Sequence, residues 1–257
     1  SAVVVALALS GPAVAQPAAP KTDPAAAESP VGRYSLMGAI KNGYLDANLT
    51  VAQLRAKGDF GLGGFAGFSG ELVLLDGVVY KITSDGVPHV AAPDEAITYS
   101  EFTNFSPSIV VESAGETKSA LSKRLQARLG NPNLIYSLRI DGHFRRIRYR
   151  DVKEQTFPYP KPICAKNIDV VYDASDVDGT ILGFLNPSFV KGGIDYPGSH
   201  LHFLRADRAA GGHVYDFEID HAQISIGRHH VFVVNLPDGE RFAHTNVDDD
   251  FPCPPQN

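Results

Sequence analysis

Hydrophobic positions along the chain change their period several times, and each change predicts a change of element. Over residues 119–129, Leu121, Leu125 and Leu129 recur at i, i+4 and i+8, the one-sided stripe of an amphipathic helix. The segment 34–55 also has a helical pattern, with Met37, Ile40 and Tyr44, then Leu49-Thr50 capping a second short helix that carries Val51 and Leu54 on one face. From Gly58 onward the pattern shifts to short β-type runs between glycine-rich turns. The runs 71–75 and 78–82 are joined by Asp76-Gly77, a strong hairpin signal because both residues tolerate positive φ. Residues 134–152 read as strand, Pro158, Pro160 and Pro162 mark a crossing segment, and 168–232 is again strand-rich. The expected fold is a mixed, strand-rich α/β arrangement of two sheet-containing domains packed about one site. An N-terminal α/β domain is placed over 32–157 and a β-rich, metal-binding domain over 158–257.

The N-terminal segment has a different character. Residues 1–15 are an apolar stretch ending in the small-x-small triplet Ala13-Val14-Ala15, the pattern of a secretory signal peptide that lacks its basic start. Residues 16–31 are rich in Pro and Ala and read as a disordered linker. A secreted or periplasmic location follows as the expectation. In such an oxidising compartment Cys164 and Cys253 are able to pair, with two buried free thiols as the alternative.

Composition narrows the function classes. The 257 residues suffice for a core that needs no disulfide staples. Lys+Arg 23 against Asp+Glu 29 gives a net charge of -6, the wrong sign for a protein that binds nucleic acid by neutralising phosphates. The only long apolar run is too short and interrupted to span a membrane. Two cysteines cannot build a zinc ribbon, so any metal must be held by histidine and carboxylate.

The sharpest chemical signal is His200-Leu201-His202, followed by Gly211-Gly212-His213. On a strand, residues i and i+2 point to the same face, so His200 and His202 present their imidazoles side by side. The glycine pair permits a tight return, and an antiparallel hairpin of suitable register sets His213 across from them. Three neutral imidazoles without a fourth protein ligand make an open metal site of the catalytic type, with nitrogen ~2.0–2.1 Å from zinc. Core or surface histidines that merely cluster are the alternative. A cupin-type site wants a glutamate shortly after the pair, where this chain has Leu204 and Arg205.

Around these histidines runs a longer set of blocks: Gly179-Thr-Ile-Leu-Gly-Phe-Leu-Asn-Pro-Ser-Phe189, Gly193-Ile194, Pro197-Gly198, Asp207-Arg208 and His213-Val-Tyr-Asp-Phe217. Earlier blocks keep the same order: Tyr34-Ser35, Gly58-Asp-Phe-Gly-Leu-Gly63, Gly70-Glu71, Leu75-Asp-Gly77, Ile140-Asp-Gly142 with Phe144, and Tyr149-Arg150. Together they resemble the alpha-acetolactate decarboxylases over residues 34–247. The resemblance implies a metal-dependent conversion of 2-acetolactate to acetoin and carbon dioxide, on a two-domain α/β fold that forms a homodimer. It places the Zn2+ ligands on His200, His202 and His213, the same residues that spacing selects. It also places a catalytic glutamate on Glu71 and a catalytic arginine on Arg150.

Taken without the resemblance, Glu71 reads as an exposed salt-bridge partner opening a strand, and Arg146, Arg148 and Arg150 as a solvated basic edge. Two departures from the family pattern stand out. Gly64 occupies the place of a threonine that the family usually has, and no glutamate follows Glu240 to match the family's tail carboxylate. The run Asp248-Asp249-Asp250 reads as a solvated acidic turn. A secreted, non-catalytic metal-binding protein and a zinc hydrolase are the competing functions that the same three histidines allow.

Overall fold

The structure is a computed structural model that describes residues 29–161 and 167–248. The expected signal peptide, the linker up to residue 28, Cys164, Cys253, Asp249 and Asp250 lie outside the described residues. Val31, placed by sequence at the end of the linker, is instead the fully buried first residue of a strand.

In chain order, the first elements are β1 (Val31–Tyr34), α1 (Met37–Lys41), β2 (Leu49–Thr50), α2 (Val51–Arg55), β3 (Phe60–Phe65), β4 (Glu71–Leu75), β5 (Val78–Ile82), β6 (Pro88–Val90) and β7 (Ala96–Thr103). There follow β8 (Ile109–Ala114), α3 (Lys118–Leu129), β9 (Ile135–Val152), β10 (Asp169–Asn186), β11 (Gly198–Arg205), β12 (Gly211–His229), β13 (Phe232–Asn235) and α4 (Glu240–Ala243). The helical expectation for 34–55 is met only by two one-turn helices. The second is closed by a capping box in which Thr50 and Gln53 exchange hydrogen bonds.

Two sheets form. The first has the order β13-β1-β7-β3-β4-β5-β6, with β2 also on β7, and the second has the order β11-β10-β9-β12-β8, with β11 pairing β12 as well. That extra pairing closes β9, β10, β11 and β12 into a ring. The boundary expected at 157–158 falls between β9 and β10, which pair along most of their length within one sheet. Strand β13 crosses the other way, returning from the C-terminal half to lie parallel to β1. Sheet membership therefore does not follow the two halves of the chain. Nor is the basic stripe an edge, since β9 lies between β10 and β12; Arg146 and Arg148 are exposed and pair with Asp216 at 2.7 Å and Asp173 at 2.9 Å. Exposed pairs of this kind contribute about 0–1 kcal/mol each.

Local chemistry explains the elements. Asp76 and Gly77 both have positive φ, 51° and 76°, the geometry of a two-residue hairpin turn matched to strand twist. Helix α3 starts at Thr117, whose side chain accepts from the Ala120 N–H, and ends at the left-handed Gly130. Leu121, Leu125 and Leu129 are its buried face and pack on the second sheet. A separate cluster joins the two sheets, with Leu62, Val73 and Ile82 from the first meeting Leu182, Phe184 and Leu204 from the second. The candidate site lies along this seam.

Packing across β3 is tight at its middle. A Cβ added at Gly63 would come 2.0 Å from the Tyr99 carbonyl oxygen, a backbone atom that cannot retreat without breaking the sheet. Gly63→Ala is expected to lower the melting temperature by ~6 °C or more, since overpacking costs ~3 kcal/mol at a site that cannot relax. A Gly63→Ala protein that melts with the native one by circular dichroism would contradict this packing.

Candidate metal centre and active-site cleft

Strand alternation sets the ligand geometry. On β11, Leu201 and Phe203 enter the core under α3, while His200, His202 and Leu204 face the first sheet. The β11–β12 return pairs His202 directly with His213, as the glycine pair before His213 predicts. The rings form a near-equilateral triangle: centroids are 5.4 Å apart for His200–His202, 5.2 Å for His200–His213 and 5.3 Å for His202–His213. One ring nitrogen from each lies within 4.8 Å of the other two.

The donor chemistry fits a metal ion. His202 Nδ1 donates to the Leu72 carbonyl at 2.8 Å, which fixes its tautomer and leaves the Nε2 lone pair free. That Nε2 is buried and has no hydrogen-bond partner among the described residues, a costly state unless a ligand completes it. Burial depresses the pKa of all three histidines. At His200 the neighbouring His202, Arg33 and Arg150 add to burial, and at His213 Arg150 and the other two histidines do. Neutral imidazole is the form that binds metal.

Glu71 and Arg150 stand beside the triad. Glu71 opens β4, is buried, and accepts from Arg150 Nη1 at 2.5 Å, while its other oxygen lies 3.5 Å from His202 Nε2. Arg150 is the register partner of His213 across β9 and β12. Burial works against its charge, but Glu71 and Asp169 outweigh burial and hold the guanidinium above its ordinary value. The exposed salt-bridge reading of Glu71 is thus replaced by a buried carboxylate paired with a half-buried arginine. A cavity of about 470 Å³ opens over these groups, walled by Met37, Ile40, Phe68, Tyr196 and Tyr215, with Lys41 among its lining residues. Lys41 Nζ sits 4.0 Å over the Tyr196 ring.

The comparisons with known proteins agree with one another. The sequence profile of the family described as Alpha-acetolactate decarboxylase matches residues 31–249. The chain belongs to this family. It is 33% identical over 216 residues to the alpha-acetolactate decarboxylase of Methanosarcina mazei, covering 84% of this chain and 75% of that one. With the Bacillus subtilis enzyme the identity is 31% over 221 residues, 86% of each chain. The crystal structure of alpha-acetolactate decarboxylase from Bacillus subtilis strain 168 superposes with a TM-score of 0.84 at 30% identity, covering 86% of this chain and 95% of that chain. This member of the alpha-acetolactate decarboxylase family is therefore an enzyme of decarboxylase type acting on a small molecule.

Behind the triad lies a buried charged network that sequence reasoning missed. Arg33 Nη2 donates to Glu101 at 3.0 Å and to Asp195, and Asn186 Nδ2 donates to the same two carboxylates at 3.3 and 2.7 Å. Tyr99 links this network to the site, its hydroxyl 3.4 Å from both Asp195 oxygens and 3.5 Å from His200 Nδ1. Glu101, Asp195 and His200 also have ligand atoms within 4.8 Å of one another. Arg33 already pairs with both carboxylates, and burial pushes the Glu101 carboxyl up, so this group reads as the support of His200 and not as a second metal centre. The available sequence signal was a charge inside each of two short β-type segments, Arg33 in 31–34 and Glu101 in 96–103.

The tail passes close to the cleft. The Val247 carbonyl oxygen lies against Gly38 of α1, and the Asp248 carbonyl accepts from Asn42 at 3.4 Å. Asp151, next to Arg150, is fully buried, and neither of its oxygens has a hydrogen-bond partner among the described residues. Burial first, then the Glu71 charge, push its pKa up to about 9 against the opposing pull of Arg150.

A carboxyl whose folded pKa is raised stabilises the fold fully below its unfolded value of ~3.9 and progressively less as pH rises toward its folded value. Asp151→Asn keeps the shape and removes the titration. It is expected to raise the melting temperature at pH 8 by ~2–8 °C while leaving it nearly unchanged at pH 4.5. Equal shifts at both pH values in a thermal melt would show that Asp151 is not held neutral.

Proposed function

We propose that this chain converts 2-acetolactate to acetoin and carbon dioxide, with Zn2+ as its metal held by His200, His202 and His213. One observation carries the reading. Three neutral imidazoles, two buried and one half-buried, one of them with an unpartnered nitrogen, meet at a cavity that also holds the part-buried Glu71–Arg150 pair. His200, His202 and His213 would hold a divalent ion there, which would supply Lewis acidity to the charge that develops on the substrate.

The chain's own groups do the rest. Arg150 spends one N–H on Glu71, and its Nε lies 3.6 Å from Asp169; its remaining donors can hold the substrate carboxylate and fix its orientation before it leaves as carbon dioxide. Glu71 accepts the proton of the neighbouring hydroxyl and returns a proton to the carbon that has lost carbon dioxide. The net proton consumed comes from solvent. The apolar groups Met37, Ile40 and Phe68 in the cavity wall lower the local dielectric and strengthen these contacts. Glu71 is the glutamate among the cavity's lining residues and is positioned for proton transfer.

Two further properties belong to the proposal. The family resemblance supports a homodimer, and the apolar stretch before Ala13-Val14-Ala15 supports export. Sedimentation analysis checks the first, and fractionation of the expressing cell checks the second.

Zinc-loaded protein incubated with acetolactate should release carbon dioxide and acetoin. Metal uptake without turnover would favour a non-catalytic metal-binding protein, and cleavage of a model ester instead would favour a hydrolase. His202→Ala should lose most of its zinc by elemental analysis and most of its activity while keeping its sheet spectrum, because an open site on a formed scaffold is not the core. Glu71→Gln should keep zinc and lose ~10²–10⁴-fold in turnover, the usual worth of a positioned acid or base. Full activity in either variant would refute the corresponding role.

A further inference from the structure

Neighbouring glycines in β3 are present for different physical reasons. At Gly61 and Gly63 an added Cβ would come 2.3 Å from the Glu101 carbonyl oxygen and 2.0 Å from that of Tyr99, so sheet crowding requires glycine. At Gly64 the nearest atoms to an added Cβ are the Gly70 carbonyl oxygen at 3.9 Å and Phe68 Cδ1 at 4.0 Å. Those are ordinary contacts, and the backbone there is outside the left-handed region. Neither conformation nor packing calls for glycine at 64.

Register shows where the missing side chain would point. Gly64 is directly opposite Glu71 on β4 and directly opposite Tyr99 on β7. Opposed residues of antiparallel strands place their side chains on the same face. Tyr99, Gly64 and Glu71 all line the cavity, so the row they form has a gap in its middle that opens on the candidate site. The Phe68 ring flanks that gap. The Gly70 carbonyl beside it already accepts from the Phe65 N–H at 3.0 Å. The gap itself is thus floored by the Phe68 ring and a carbonyl that is already bonded, with Glu71 and Tyr99 at its two sides.

We propose that this gap is an alkyl-binding slot, and that Gly64 sets the size of the C2 substituent the enzyme accepts. The inference rests on the decarboxylation proposed above. The substrate's C2 carries a carboxylate, a hydroxyl, an acetyl group and an alkyl group. With the carboxylate at Arg150, the hydroxyl at Glu71 and the acetyl oxygen toward the triad, the alkyl group takes the space beside Glu71. A methyl group leaves the slot largely empty. The 2-ethyl and 2-propyl homologues of acetolactate fill it, each losing carbon dioxide and gaining one proton at C2 to give the corresponding hydroxyketone.

The test compares the zinc-loaded native chain with Gly64→Ala and Gly64→Val on acetolactate and its 2-ethyl and 2-propyl homologues. Native protein is expected to process all three. Gly64→Val should lower kcat/KM for the 2-propyl homologue at least ~10-fold relative to acetolactate, the usual effect of a lost or blocked methylene site, with Gly64→Ala between. Calorimetric Kd values for 2,3-dihydroxy-2-propylbutanoate, which cannot decarboxylate, should weaken in the same order. Should Gly64→Val fail to fold, the single methyl of Gly64→Ala still decides the trend. A native chain that processes acetolactate and rejects both homologues, or ratios and Kd values that neither variant moves, would overturn the slot alone. No turnover of any of the three by the native chain would remove the decarboxylase reading and the slot with it.

Discussion

The arrangement of the site depends on one backbone constraint, the pairing of β11 with β12 that sets His202 opposite His213. A slip of one residue in that register would turn the facing side chains to the other side of the strand. The register is held from several directions at once. Strand β11 also pairs along its length with β10, and β12 with β9, so the hairpin is the last closure of a ring whose other members are already aligned. Leu201 and Phe203 anchor the alternate positions of β11 in the core under α3. The imidazoles are thus oriented by hydrophobic burial on the opposite face of their own strand.

Electrostatics then decides what such a buried face can hold. Charges removed from water are costly unless paired, and the charged groups nearest the triad are paired. Arg33 is shared between Glu101 and Asp195, and Arg150 is bonded to Glu71. The same burial leaves the histidines neutral, with Arg33 and Arg150 disfavouring a proton on His200. The cationic arginines therefore help to keep these imidazoles neutral, the form in which histidine can bind a metal ion. Burial of Glu101 pushes its carboxyl up even against Arg33, so the network behind Tyr99 need not carry two full negative charges on one arginine.

How much of this was legible in sequence follows from the range of each interaction. The helix with Leu121, Leu125 and Leu129, the Asp76-Gly77 hairpin and the His-x-His pair are local patterns, each contained in a window of about one element. The return that brings in His213 is also short, because the glycine pair announces it. Glu71 and Arg150 are separated by 79 positions and Arg33 and Asp195 by 162. No periodicity encodes such contacts, and a lone Glu or Arg in a strand is more often at the surface. The same limit explains the misreading of Arg146, Arg148 and Arg150 as an edge. Alternation correctly put them on one face, but only the sheet order shows that their strand is central and that the last of the row turns inward to Glu71.

The division of chemistry between the sheets gives the seam its importance. The first sheet contributes Glu71, Tyr99 and the Leu72 carbonyl that orients His202, while the second contributes the three histidines and Arg150. Neither sheet holds both the histidine triad and Glu71. The cluster joining the sheets, with Leu62 and Val73 against Leu182 and Phe184, therefore sets the distance between Glu71 and the triad as well as stabilising the fold. Interiors at close-packed density do not deform continuously, so a carboxylate carried on one layer can be held at a fixed distance from ligands carried on the other. Tight packing along β3 fixes that spacing at Gly61 and Gly63, and one step further, at Gly64, the crowding ends where the cavity begins.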